Sequence, residues 1–161
     1  MPASGKSLWT KRLANALNIK SLDADVLVTN KAGKTIPEIF SEDGEEMFRK
    51  LEHEVVKELC ESTGDFVIST GGGMPCYFNN MGLMNTHGIT IWLDENPGFI
   101  AQRIINRKAE RPMFASLADD EVKAKVQQLY TDRTPFYAQS KYKLSSNEIN
   151  NDHLLKIIHN A

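Results

Sequence analysis

The chain has little sulfur chemistry, no long apolar run and no excess of either charge. Its two cysteines, Cys60 and Cys76, lie far apart without ligand-spaced histidines, which indicates neither a disulfide framework nor a zinc site. His53, His87, His153 and His159 are scattered and read as surface or packing residues. No stretch approaches the roughly 18 apolar residues of a membrane span, and the N-terminus lacks the charged-then-apolar pattern of a secretory signal. A soluble, untargeted cytoplasmic protein without a membrane partner is expected. The net charge of −2 gives no general reason to expect nucleic acid as a partner, so any phosphate affinity must come from a local constellation. Repeats, low-complexity tracts and an interdomain linker are also absent.

What is present fits one domain. At 161 residues, with 41% hydrophobic and 25% charged residues, the chain can bury an ordinary core. Its opening, Met1-Pro-Ala-Ser-Gly-Lys-Ser7, matches the end of the phosphate-binding pattern G-x-x-x-x-G-K-[ST] from its second position onward. Gly5 stands where backbone must approach phosphate, Lys6 can neutralise β and γ phosphates, and the Ser7 hydroxyl suits Mg²⁺. The first glycine of the pattern and a buried strand before it do not appear. A glycine directly before Met1, preceded by a short apolar strand, is therefore expected, with sheet stability and ATP binding impaired without them. The competing reading of these residues is an ordinary helix start with Ser4 as N-cap.

Lys6 to about Leu17 repeats apolar residues at helical spacing. Ile19 to Asp23 reads as a strand delivering Asp23 and Asp25 at its carboxyl end, where open α/β sheets bind ligands; the two aspartates also suit a helix cap. Residues 30–46 read as an insertion with two short helical pieces, and a long amphipathic helix follows to about Cys60. Arg49 and Glu52 are spaced for an i,i+3 ion pair. The β-rich run Asp65–Thr70 leads straight into Gly71-Gly72-Gly73, a sequence tolerated where side chains cannot fit. A weak helix over 79–87, a strand over 89–93 and a helix over 97–107 continue the alternation expected of parallel crossovers. A basic loop from Arg107 to Ala115 then carries the Arg111-Pro112 step. Helices are expected from Asp119 to about Tyr130 and again from Arg133, then a strand over 142–144 and a helix over 154–158 capped by Asp152.

In order and spacing, Ala3-Ser-Gly-Lys-Ser7, Leu22-Asp-Ala-Asp25, Ile36-x-x-Ile-Phe40, Gly44-Glu-x-x-Phe-Arg-x-x-Glu52, Thr70-Gly-Gly-Gly73, Arg111-Pro112 and Arg133-x-Pro-x-Tyr137 resemble the shikimate kinase family from Pro2 to about Leu144. The resemblance implies a P-loop three-layer α/β/α sandwich around a central parallel sheet. That sheet has five strands in the family, the first missing from this sequence. It also implies a substrate-binding insertion at about 26–60 and a lid at about 107–118 within one domain.

The implied reaction moves the γ-phosphoryl of ATP to the 3-hydroxyl of shikimate, on the route to chorismate and the aromatic amino acids, with Mg²⁺ as metal and a monomer as the working unit. By family position, Arg49 and Arg133 bind the shikimate carboxylate, Glu52 holds Arg49, Asp25 takes the ring hydroxyls, and Gly71, Gly72 and Gly73 admit the substrate. Lys6, Asp25 and Arg111 form the catalytic set. Ala3, Ser4, Gly5, Lys6, Ser7, Arg107 and Arg111 face the nucleotide, with Ser145 to Asn147 as further adenine neighbours. Ser7 binds the metal directly and Asp23 holds its water shell. The chain departs from the family's common pattern in reading Arg-Pro-Met-Phe at the lid and in lacking an acidic residue at Val28-Thr29. Alternatives are another small P-loop kinase, acting on gluconate or a nucleoside monophosphate, and a non-catalytic nucleotide-binding regulatory module.

Overall fold

The computed structural model describes residues 1–111 and 113–160; the expected Pro112 lies outside the described residues. Helix α1 spans Lys6–Leu17, starts from Gly5 in the left-handed region (φ 90°) and ends on Asn18. Gly5, not Ser4, is thus the N-cap; the Ser4 hydroxyl instead donates to the Met1 carbonyl at 3.0 Å. Strand β1 (Lys20–Asp23) passes directly into α2 (Ala24–Ala32), whose N-cap is Asp23. The strand-end and cap readings of this aspartate both hold, because the chain turns from strand to helix without a loop.

The insertion contains a three-residue turn of helix, α3 (Ile36–Glu38), then a π-helical stretch over Ile39–Asp43 leading into α4 (Gly44–Glu61). Val28, Ile39, Phe48 and Val55 form a separate core there, so the segment is packed against α4 rather than loose. Strand β2 (Phe66–Ser69) follows, then the glycine run, α5 (Asn80–His87), β3 (Ile91–Asp94) and α6 (Pro97–Ile105). Next come α7 (Asp119–Tyr137), β4 (Tyr142–Ser145) and α8 (Asn151–His159).

Two sequence expectations change. The pair of helices expected around Arg133 is one continuous helix, with Pro135 inside its last turns. The hydroxyl of Thr134 donates to the Tyr130 carbonyl at 2.7 Å and that of Thr131 to Gln127 at 3.1 Å, supplementing the backbone ladder where proline supplies no N–H. The cap of α8 is Asn150, whose side chain accepts from the His153 N–H at 2.8 Å; Asp152 lies inside the first turn.

All four described strands pair in parallel, β1 with β2 and β3 with β4, as two separate two-stranded sheets. Between them runs an apolar slot of about 640 Å³, edged by β2 and β3 and closed by side chains of α1, α5 and α8. The central strands of a parallel sheet are normally buried on both faces, yet Phe66, Val67 and Ile68 are only half-buried. The slot is thus open along the facing edges of β2 and β3. The largest core cluster lies beyond β3, where Trp92, Ile100, Ile104, Val122 and Val126 pack α6 against α7.

Candidate active site

The carboxyl ends of β1 and β2 bring the functional residues together. Asp23 accepts the Asp25 N–H at 3.0 Å and the Ser69 hydroxyl at 2.9 Å, tying the two strand ends. The three glycines that follow β2 each meet a different side chain. A Cβ on Gly71 would lie 2.9 Å from Asp25 Oδ1 and 3.0 Å from Glu52 Oε1, and one on Gly72 would lie 2.8 Å from Arg133 Nη1. On Gly73 it would lie 2.8 Å from the Arg49 guanidinium carbon. A side chain at any of these positions would push the facing group aside, so the glycine run leaves room for two arginines and two carboxylates.

Arg49 and Glu52 come from α4 and are buried, with Glu52 only 1% exposed. Arg49 Nη1 donates to Glu52 Oε2 at 2.6 Å, while Nε and Nη2 donate to Glu45 Oε1 at 3.2 and 2.9 Å. Of the five guanidinium N–H groups, three are thus taken by protein carboxylates. One N–H on each Nη remains, which is the complement of a carboxylate's two oxygens. Burial raises the Glu52 carboxyl, with nearby Asp25 adding to the shift and Arg49 opposing it; its Oε1 is buried without a partner. Arg49 itself is held charged: burial acts against the cation, and its hydrogen bonds to Glu52 and Glu45 outweigh that. Arg133, from α7, forms no ion pair among the described residues. One helical turn on, the Tyr137 hydroxyl donates to the Gly72 carbonyl at 2.6 Å and accepts from the Met1 amine at 3.2 Å. Burial pushes this phenol up to about 12.

On the other side of the glycines lies the loop before α1. Ala3 and Gly5 both have positive φ, 53° and 90°, and no side chain caps the helix. Its first N–H groups are therefore free for an anion, with the helix dipole behind them. The Lys6 ammonium donates to the Met1 carbonyl at 2.5 Å. Burial lowers its pKa from 10.5 to about 8, with Asp25 opposing the shift and Arg111 and Arg133 adding to it. Asp25 is shifted the other way, raised first by burial and then by Asp23. Lys6, Asp25, Arg111 and Arg133 therefore share one electrostatic neighbourhood.

Arg111 is partly buried, and its Nε has no partner. Nearby, Phe114 is 2% exposed in the α6–α7 core, and Lys108 bonds both the Leu117 carbonyl and Asp119. Arg107 is exposed at the end of α6 and carries no side-chain hydrogen bond or ion pair among the described residues. Ser145 is instead engaged with Asn147 and Glu148.

Ser7 is exposed in the first turn of α1. With Asp23 it offers hard oxygen donors suited to Mg²⁺. Among the described residues no group of three or more His, Cys, Asp or Glu could hold an ion alone.

Sequence reasoning missed Glu45, Tyr77, Arg103 and the role of Tyr137. Arg103 donates to the Ala3 carbonyl at 3.2 Å and pairs with buried Glu95 at 2.7 Å, linking α6 to the phosphate loop. The spacing of Glu45 four residues before Arg49 was the one available signal.

A helix-opening phosphate loop beside an arginine-lined glycine run, with Arg111 in the same electrostatic neighbourhood, defines a P-loop phosphotransferase acting on a small anionic acceptor. Residues 2–160 match the family model described as "Shikimate kinase", and the chain belongs to the shikimate kinase family. The family's reaction transfers the γ-phosphoryl of ATP to shikimate. Among similar proteins, shikimate kinase of Bacteroides fragilis is 41% identical over 86% of this chain and 77% of its own length. That of Azobacteroides pseudotrichonymphae is 36% identical over 91% and 89%. The crystal structure of shikimate kinase from Bacteroides thetaiotaomicron superposes with a TM-score of 0.91 at 32% identity, covering 98% of this chain and 94% of that one. Shikimate kinase from Acinetobacter baumannii in complex with shikimate gives 0.82 at 30% identity, over 97% and 86%.

Proposed function

We propose that the glycine run is the floor of the shikimate site, and that its flanking side chains divide the chemistry. The carboxylate pairs with the two free N–H groups of Arg49 and with Arg133, above Gly72 and Gly73. The ring hydroxyls then face Asp25 beside Gly71. Asp25 accepts the proton of the 3-hydroxyl as its oxygen bonds to the γ-phosphorus and the bond to the β-phosphate oxygen breaks. Its raised pKa favours this over the behaviour of a free carboxylate.

Lys6 and the free N–H groups of α1 hold the β and γ phosphates, with Ala3, Ser4 and Gly5 shaping the loop. Arg111 offsets charge on the transferring group, an effect worth roughly 10³ to 10⁵ in rate for such arginines. Ser7 would bind Mg²⁺ and Asp23 its waters; the metal would neutralise phosphate charge. Arg107 borders the nucleotide from the end of α6. A cytoplasmic monomer without nucleic-acid or membrane partners completes the reading; the net charge of −2 gives no general attraction to nucleic acid.

The observation that carries this reading is the meeting of each glycine with a carboxylate or a guanidinium. Calorimetric titration of Arg49→Ala tests it: shikimate binding should vanish while ATP affinity stays nearly intact. Equal loss of both would make Arg49 a structural residue.

A further inference from the structure

The Arg49 guanidinium has one neighbour that carboxylate binding alone does not require. The Tyr77 ring lies 4.4 Å from its carbon, within cation–π range, and the Tyr77 hydroxyl donates to Glu45 Oε1 at 3.4 Å. Phe48 lies 5.1 Å away. Tyr77 is 40% exposed, so burial of apolar area does not explain its position.

The backbone holds it deliberately. Phe78 and Asn79 follow with φ of 50° and 56°, and two successive non-glycine residues in this region are costly unless the surroundings impose them. Here the imposing group is Asn80, fully buried, whose amide donates to the Met74 carbonyl at 2.9 Å and whose oxygen meets His53 Nδ1 at 2.7 Å. The Asn80 N–H returns to the Tyr77 carbonyl at 2.9 Å, and the Cys76 N–H to that of Gly73 at 2.9 Å. Tyr77 is therefore fixed to the same loop as the glycine run.

We infer that Tyr77 is a positioning residue for acceptor recognition: with Glu45 it locks the Arg49 guanidinium so that two N–H groups stay aimed at the substrate carboxylate. This rests on the carboxylate role proposed for Arg49. A free arginine would lose rotamer freedom on binding, whereas a locked one has lost it already. The effect therefore falls on shikimate KM and not on kcat or ATP.

Steady-state kinetics and thermal melts of Tyr77→Leu, Tyr77→Phe and Arg49→Ala test it. Tyr77→Leu should raise shikimate KM about tenfold, with kcat and ATP KM within about twofold and the melting midpoint unmoved. Tyr77→Phe, which keeps the ring, should stay near the parent. An unchanged KM in Tyr77→Leu alongside a raised KM in Arg49→Ala overturns the inference alone; unchanged values in both overturn the reading of Arg49 with it. Parallel losses of kcat, ATP affinity and midpoint in Tyr77→Leu would make the tyrosine structural and overturn the proposal.

Discussion

Lys6 carries the sharpest conflict between charge and surroundings. Its folded pKa of about 8 lies below the ordinary 10.5 because burial disfavours the ammonium. Between those values the unfolded chain binds the proton and the folded chain does not, so ligand-free stability rises with pH across that window. Nucleotide phosphates reverse the preference, since they favour charged Lys6. ATP affinity should fall as pH rises through about 8, and binding should take up a proton at about pH 9. Calorimetry in buffers of different ionisation heat measures this uptake, and none would remove Lys6 from the phosphate site. Gly5-Lys6-Ser7, Asp25, Arg49 and Arg133 were legible in the sequence because each sits in a short motif. Tyr77 and Arg103 were not. Their partners, Glu45 and Ala3, lie 32 and 100 residues away, and no local pattern encodes such contacts.

At the scale of elements, α7 shows how position follows from continuity. Val122, Val126 and Tyr137 are buried on one stripe, and Arg133, one turn before Tyr137, stands on that stripe and reaches Gly72. A break before Arg133 would have lost this alignment, which is why the proline misled the sequence reading. The long helices and the β–glycine–helix alternation were readable from period and turn residues. The direct passage from β1 into α2 was not, because Asp23 serves both elements.

The slot between β2 and β3 is the clearest opening for change. A chain extended before Met1 by five apolar residues and a glycine would place a parallel strand against both open edges. Its thermal midpoint should rise by about 5 °C or more, since each kcal/mol moves it by about 2–4 °C in a chain of this size. Scanning calorimetry checks this, and an unmoved midpoint would show that the slot does not take a strand.

Across the whole molecule, elements from different core clusters meet at one line of glycines. The α2–α4 elements supply Asp25, Arg49 and Glu52; α7 supplies Arg133, and the segment between α6 and α7 supplies Arg111. The phosphate loop is tied to α6 by the Arg103 bond to the Ala3 carbonyl and to α7 by the Met1 amine's bond to the Tyr137 hydroxyl. Along the run, carboxylates stand against Gly71 and guanidinium groups against Gly72 and Gly73. That polarity fits a small acid carrying hydroxyls. Coupled measurement of ADP release with shikimate, gluconate and nucleoside monophosphates tests this most directly. Shikimate should exceed each alternative by about a hundredfold or more in kcat/KM; comparable values for any of them would contradict the account.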